Sequence, residues 1–162
     1  VLDRTEIETE RRWHTDLAHV MWSPYKQRPT AKLLVGITAW GNTCFVSEGF
    51  GGHISDVEIN LEKPGFCGKG YSSMVDRGFN PLGLDLVLKA MTLVGPPTLR
   101  KGGAQLSTED LHVSYGVARL RVHIERAIGA MKKWRFMTET KSFRRLDLLG
   151  MAVHAIAAII NL

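Results

Sequence analysis

Cysteine is scarce: Cys44 and Cys67 stand far apart in the chain and form no Cys-x-x-Cys pair. That argues against a zinc ribbon or a disulfide framework and suits a reducing compartment such as nucleus or cytosol. Long apolar runs are missing too. The longest, over residues 146–162, is interrupted by Asp147 and His154 and is too short for a comfortable membrane span. It is expected as a buried or interface helix, with no membrane as partner. Residues 1–12 carry Asp3, Glu6, Glu8 and Glu10 where a secretory signal needs its apolar segment. Lys101-Gly102-Gly103 falls short of a phosphate-binding loop, which excludes an NTPase of that kind, and no Ser or Cys sits in a nucleophile motif. Repeats and low-complexity segments are also absent.

What remains is an ordinary globular composition. The 162 residues are 44% hydrophobic and 23% charged, with mean hydropathy −0.05, enough for one domain with a real core. Lys and Arg outnumber Asp and Glu to leave a net charge of +5 and a pI of about 9.4. A basic domain suits a polyanionic partner, of which nucleic acid is the commonest.

Val1-Leu2-Asp3 reads as the tail of a strand ended by an aspartate. With no initiator Met, the chain is expected to be cut at its N-terminal side, with something upstream missing. A charged, irregular stretch follows over 8–29, then an apolar strand over 32–38. Gly41-Asn42 turns the chain into a second, alternating strand over 43–47, making a β-hairpin. Gly51-Gly52 breaks the pattern, and Ser55-Asp56 is placed to cap a short helix ending before Pro64-Gly65. Further along, 71–76 reads as a strand, Asn80-Pro81 starts a helix running through Met91, and Leu93-Val94 is a last short strand. Ser107-Thr-Glu-Asp110 opens a long helix in capping style. Its apolar stripe is Leu120, Ile124, Ala127, Ile128 and Met131; a second stripe is Leu146, Leu149, Val153, Ile156 and Ile160. The order of elements predicts a mixed α/β domain.

Three acids occupy places where packing does not ask for a carboxylate. Asp3 and Asp76 each end an apolar strand, and Glu125 lies in the long helix beside its stripe. Strand ends and a helix packed across them can bring such groups together. Oxygen-only ligands favour a hard cation such as Mg²⁺ or Mn²⁺. Two such ions about 4 Å apart activate a water on one side of a phosphorus and stabilise the leaving oxygen on the other. The plainer alternatives are that the aspartates are turn residues and that Glu125, flanked by Arg121 and Arg126, forms a solvated helical ion pair.

The words around these acids are more specific. Val1-Leu-Asp3-Arg-Thr-Glu-Ile7 resembles the first-aspartate motif of PIF/Harbinger-like DDE transposases. Trp22-Ser-Pro-Tyr-Lys26 with Thr30-Ala-Lys-Leu-Leu-Val-Gly-Ile-Thr38, and then Gly51-Gly-His-Ile-Ser-Asp56, are similar to the family's next segments. Met74-Val-Asp76-Arg-Gly-Phe79 resembles its second-aspartate motif, and Arg121-Val-His-Ile-Glu125-Arg-Ala-Ile-Gly129 its glutamate helix. The motifs cover nearly the whole chain in order. Arg4, where relatives often carry a smaller residue, and a short linker over 65–73 are departures that remove no ligand.

The resemblance implies an RNase H-like fold, a mixed central sheet flanked by helices, filling residues 1–162. It implies a metal-dependent DNA endonuclease and strand-transfer domain, with Asp3, Asp76 and Glu125 as catalytic residues and ligands of two Mg²⁺ or Mn²⁺ ions. DNA is then the partner, the nucleus the compartment, and an upstream DNA-binding domain is expected, with homo-oligomerisation left open. The alternative is a domesticated transposase-derived module that binds DNA or protein without cutting. Asp56 is the main rival ligand, although its setting favours a cap; His53 and His123 are candidates for orienting water or phosphate. Arg77, Arg100, Lys101, Arg119, Arg121, Arg126, Lys132 and Lys133 are candidates for DNA phosphates. Trp13, Trp22 and Trp134 are candidates for stacking on bases, with core packing favoured for Trp134.

Overall fold

The computed structural model describes residues 1–11, 13, 15–55, 58–59, 72–76, 92–97, 105–142 and 146–162. Its spine is β3 (Arg28–Ile37), a ten-residue strand buried throughout from Ala31 to Ile37, Lys32 included. One edge of β3 is taken by β1 (Leu2–Glu8), antiparallel, from Leu2 opposite Gly36 to Glu8 opposite Thr30. The other edge is shared by three short strands: β2 (Trp22–Ser23), β4 (Thr43–Val46) and β5 (Phe50–Gly51). The sheet is therefore five-stranded and antiparallel.

The expected hairpin is β3–β4. Thr38 N–H donates to Asn42 O at 2.9 Å, Gly41 N–H to Thr38 O at 3.1 Å, and Gly41 takes a φ of 90° that a side chain would resist. Gly51 and Gly52 serve close approach instead. A Cβ on Gly51 would stand 2.4 Å from Val20 O, and one on Gly52 2.3 Å from Thr30 Oγ1.

Two expectations at the N-terminal side are corrected. Asp3 does not end a strand; it lies near the start of β1, which continues through Glu8. Arg4, Glu6 and Glu8 alternate with buried Thr5 and Ile7, and the strand runs on past Asp3. The stretch over 8–29 holds α1 (Thr15–Met21) and β2, then a tight turn into β3.

A second, parallel pair is formed by β6 (Ser72–Met74) and β7 (Thr92–Val94), with Val75 N–H donating to Val94 O at 3.0 Å. The expected central mixed sheet is thus divided. Among the described residues, the parallel pair and the antiparallel sheet share no ladder. The expected helix through Met91 lies outside the described residues.

The long helix is α2 (Thr108–Met131). Ser107 caps it, its Oγ accepting from Asp110 N–H at 3.1 Å. Then come the single turn α3 (Arg135–Thr138) and α4 (Leu146–Ile160). Cross-strand partners share a face, so Thr5, Ile7, Ala31, Leu33, Val35 and Val46 point the same way, toward α2 and α4. The helices supply Ile124, Ala127, Ile128 and Met131, and Leu149, Val153, Ile156 and Ala157. Each fully buried aliphatic of this kind contributes about 1.5–3 kcal/mol. Leu120 is a correction to the first stripe: it is 46% exposed, and Val117, one heptad before Ile124, is buried in its place. No helix among the described residues is long and apolar enough to cross a membrane.

Candidate active site

The register of β1 decides where Asp3 goes. Asp3 is opposite Val35, so its carboxyl is on the helix-covered face of the sheet, above the start of the core. Asp76 follows β6 and Val75, which is fully buried. Glu125 is on α2, one residue after fully buried Ile124 and one turn after Arg121. Residues far apart in the chain are thereby brought to one end of the sheet.

Arg121 is the group that Asp76 and Glu125 meet. Its Nη1 lies 3.2 Å from Asp76 Oδ1 and its Nη2 3.7 Å from Glu125 Oε1. The helical ion pair read from spacing exists, but the same guanidinium also reaches across to a strand end. Arg121 is mostly buried, and its Nε has no hydrogen-bond partner.

Asp3 completes the arrangement. Burial pushes its carboxyl above the ordinary aspartate value. The Arg4 N–H, donating to Asp3 Oδ1 at 2.8 Å, and the Arg121 charge oppose that shift, while the Asp76 carboxylate adds to it. The two aspartates therefore repel one another across the site, with Arg121 as the shared counter-charge.

Asp3, Asp76 and Arg121 line a cleft of about 180 Å³, and Glu125 stands outside its lining. Asp3 and Thr5 on one face of β1 and Arg4 and Glu6 on the other all border it, so it runs along the outer edge of the strand. Farther along, at Glu8–Glu10, that edge is closed by Lys141, whose N–H donates to Glu8 O at 2.8 Å. A larger cavity of about 580 Å³ is bordered by Leu2, Ile37, Phe45, Met74 and Leu120, and none of the three acids lines it. The smaller cleft is the charged one.

The chain matches the family model described as DDE superfamily endonuclease over residues 2–161. It belongs to that family. No curated protein and no solved structure matches it. For a DDE endonuclease domain, carboxylates from separate elements are the expected means of holding divalent metal. The donor chemistry here fits: oxygen ligands only, gathered about one positive group. Their spacing is that of acids splayed around a guanidinium, and among the described residues no three Asp, Glu, His or Cys groups stand close enough to hold one ion.

The remaining candidates divide. His123 borders the apolar cavity while Glu125 pairs with Arg121, so the two diverge as their spacing predicts. His53 packs against His19, ring centroids 4.4 Å apart, and does not line the acid cleft. Lys132 lines the cleft, and Arg119 lies over the Tyr115 ring. Arg126 and Lys133 are exposed outside it. Arg77, Arg100 and Lys101 lie outside the described residues, as does Asp56. The cap expected near Asp56 is formed by Ser55, whose Oγ accepts from Glu58 N–H at 3.2 Å while Glu58 Oε2 accepts from Ser55 N–H at 2.8 Å. Trp13 and Trp22 are exposed, and so is Trp134, contrary to the expectation that it packs in the core.

Tyr25 and Lys26, which the sequence offers within a family-like segment and not as site residues, also line the cleft. The available signal was Ser23-Pro24, a turn-forming pair directly before an aromatic and a cation.

Proposed function

We propose that this DDE domain is a metal-dependent DNA endonuclease with strand-transfer activity, RNase H-like in fold and of the PIF/Harbinger-like transposase type, acting in the nucleus. The convergence of Asp76 and Glu125 on Arg121, with Asp3 beside them, carries the reading. In it, Asp3 and Asp76 hold the metal and Glu125 completes its ligand set. Two bound Mg²⁺ or Mn²⁺ ions would supply activation of a water and stabilisation of the leaving oxygen. The chain's own part is to fix the carboxylates on a strand, a strand end and a helix, and to offer cations to the phosphates. A freed 3′-hydroxyl then serves as the second nucleophile.

The second reading is a domesticated binding module without cleavage. The ion pairs of Arg121 favour it, because a cation already neutralises the acids.

A nicking assay on supercoiled plasmid with Mn²⁺ separates the two. Asp3→Ala, Asp76→Ala and Glu125→Ala should each abolish nicking and leave DNA affinity nearly unchanged, since the carboxylates act on the reaction rather than on DNA binding. Manganese titration calorimetry should show the heat shrink in Asp76→Asn. Salt-sensitive DNA binding with no nicking and no metal uptake in the wild type would leave the binding module as the reading.

A further inference from the structure

The turn between β2 and β3 is tightly held. Ser23 is buried; its Oγ accepts from Lys26 N–H at 3.2 Å and its carbonyl from Gln27 N–H at 2.8 Å. Gln27 takes a φ of 54°, the left-handed region that side chains disfavour. This turn presents Tyr25 and Lys26 to the cleft that also holds Asp3 and Asp76. Tyr25 is 78% exposed, so its ring contributes little to the core. The Arg4 guanidinium lies over that ring, 5.4 Å from the centroid. On the α2 side of the cleft stands Lys132. Among the described residues neither Lys26 nor Lys132 makes an ion pair.

We propose that this cleft grips an unpaired nucleotide of the DNA strand beside the bond to be cut, Tyr25 stacking on its base and Lys26 and Lys132 holding its phosphates. The inference rests on the DNA endonuclease reading and names the form of the substrate that the site takes. Two observations carry it. An exposed aromatic ring backed by a cation offers a stacking surface, and every base has a face to stack on it. In a duplex those faces are covered by neighbouring pairs, so only an unpaired or terminal base can use the ring. The cleft, about 180 Å³, takes a phosphate and sugar and has no room for a double helix. The paired cations on its two sides match a backbone running between them.

Fluorescence anisotropy in EDTA, with the whole chain and a labelled duplex that is either blunt or carries a short single-stranded extension, tests this without cleavage. Wild type should prefer the extended DNA. Tyr25→Ala should lose about tenfold in affinity for it, with blunt-duplex binding and thermal midpoint unchanged, while Tyr25→Trp keeps the preference. Lys26→Gln and Lys132→Gln should each weaken binding of the extended DNA and lower its salt slope by about one. Equal binding of both DNAs by wild type, or an unaltered preference in Tyr25→Ala, overturns the proposal while leaving the endonuclease reading intact. Absence of any DNA binding by wild type overturns both.

Discussion

The Arg121 guanidinium spans from its own helix to Asp76 at 3.2 Å, tying α2 to the residue that follows β6. Removing it leaves the neighbouring carboxylates without their shared counter-charge. Asp76 and Glu125 are both partly solvated, so the expected loss for Arg121→Met in EDTA is at most about 1 kcal/mol, read by urea unfolding. Added Mn²⁺ should then raise the unfolding midpoint of the variant more than that of wild type, because the ion no longer competes with an arginine. A larger rise in wild type would show that Arg121 does not occupy the metal's place.

Asp3 gives a pH signature. Burial raises its carboxyl above the ordinary 3.8, so the folded chain holds this proton more tightly than the unfolded one. The favourable contribution of the protonated group is full below the ordinary value and is lost as pH rises through the raised one. Asp3→Asn should therefore melt above wild type at neutral pH, with the difference closing below about pH 4. A metal-free melting series across pH checks it; a variant less stable at neutral pH contradicts it.

Gly52 is irreplaceable for a steric reason. A Cβ there would lie 2.3 Å from Thr30 Oγ1, which donates to Glu6 at 2.9 Å, and 2.8 Å from Met21 O. Gly52→Ala should cost about 1–3 kcal/mol in chemical denaturation. The open position Gly129, with nothing near its Cβ direction, is the control: in a helix interior Gly129→Ala should stabilise by about 1 kcal/mol.

Ser55 and Glu58 form a reciprocal cap. Ser55→Ala should lose about 1 kcal/mol of stability, and Ser55→Asp should retain most of it. Equal unfolding curves for Ser55→Ala and wild type would assign the cap elsewhere.

Local patterns were legible because their causes are local. The 3.6-residue stripe over Ile124, Ala127, Ile128 and Met131, the Ser107 cap and the Gly41-Asn42 turn follow from the residues that form them. β1 reads in the sequence as a strand tail ended by Asp3, and only its pairing with β3 carries it on through Glu8. Leu120 fits its stripe, but the helix passes a cavity at that level instead of the core.

The three acids were singled out in the sequence, through the motifs around Asp3, Asp76 and Glu125. Their meeting was not. A strand's side chains alternate between two faces, so a shift of one residue in the β1–β3 register would turn Asp3 away from α2. The reach of Arg121 to Asp76, and the gathering of Tyr25, Lys26 and Lys132 around one cleft, join segments distant in the chain. Periodicity and capping act over a few residues and carry no information about such pairs. Packing of α2 across the sheet decides them, because burying its apolar face fixes the direction of every polar side chain at the rim.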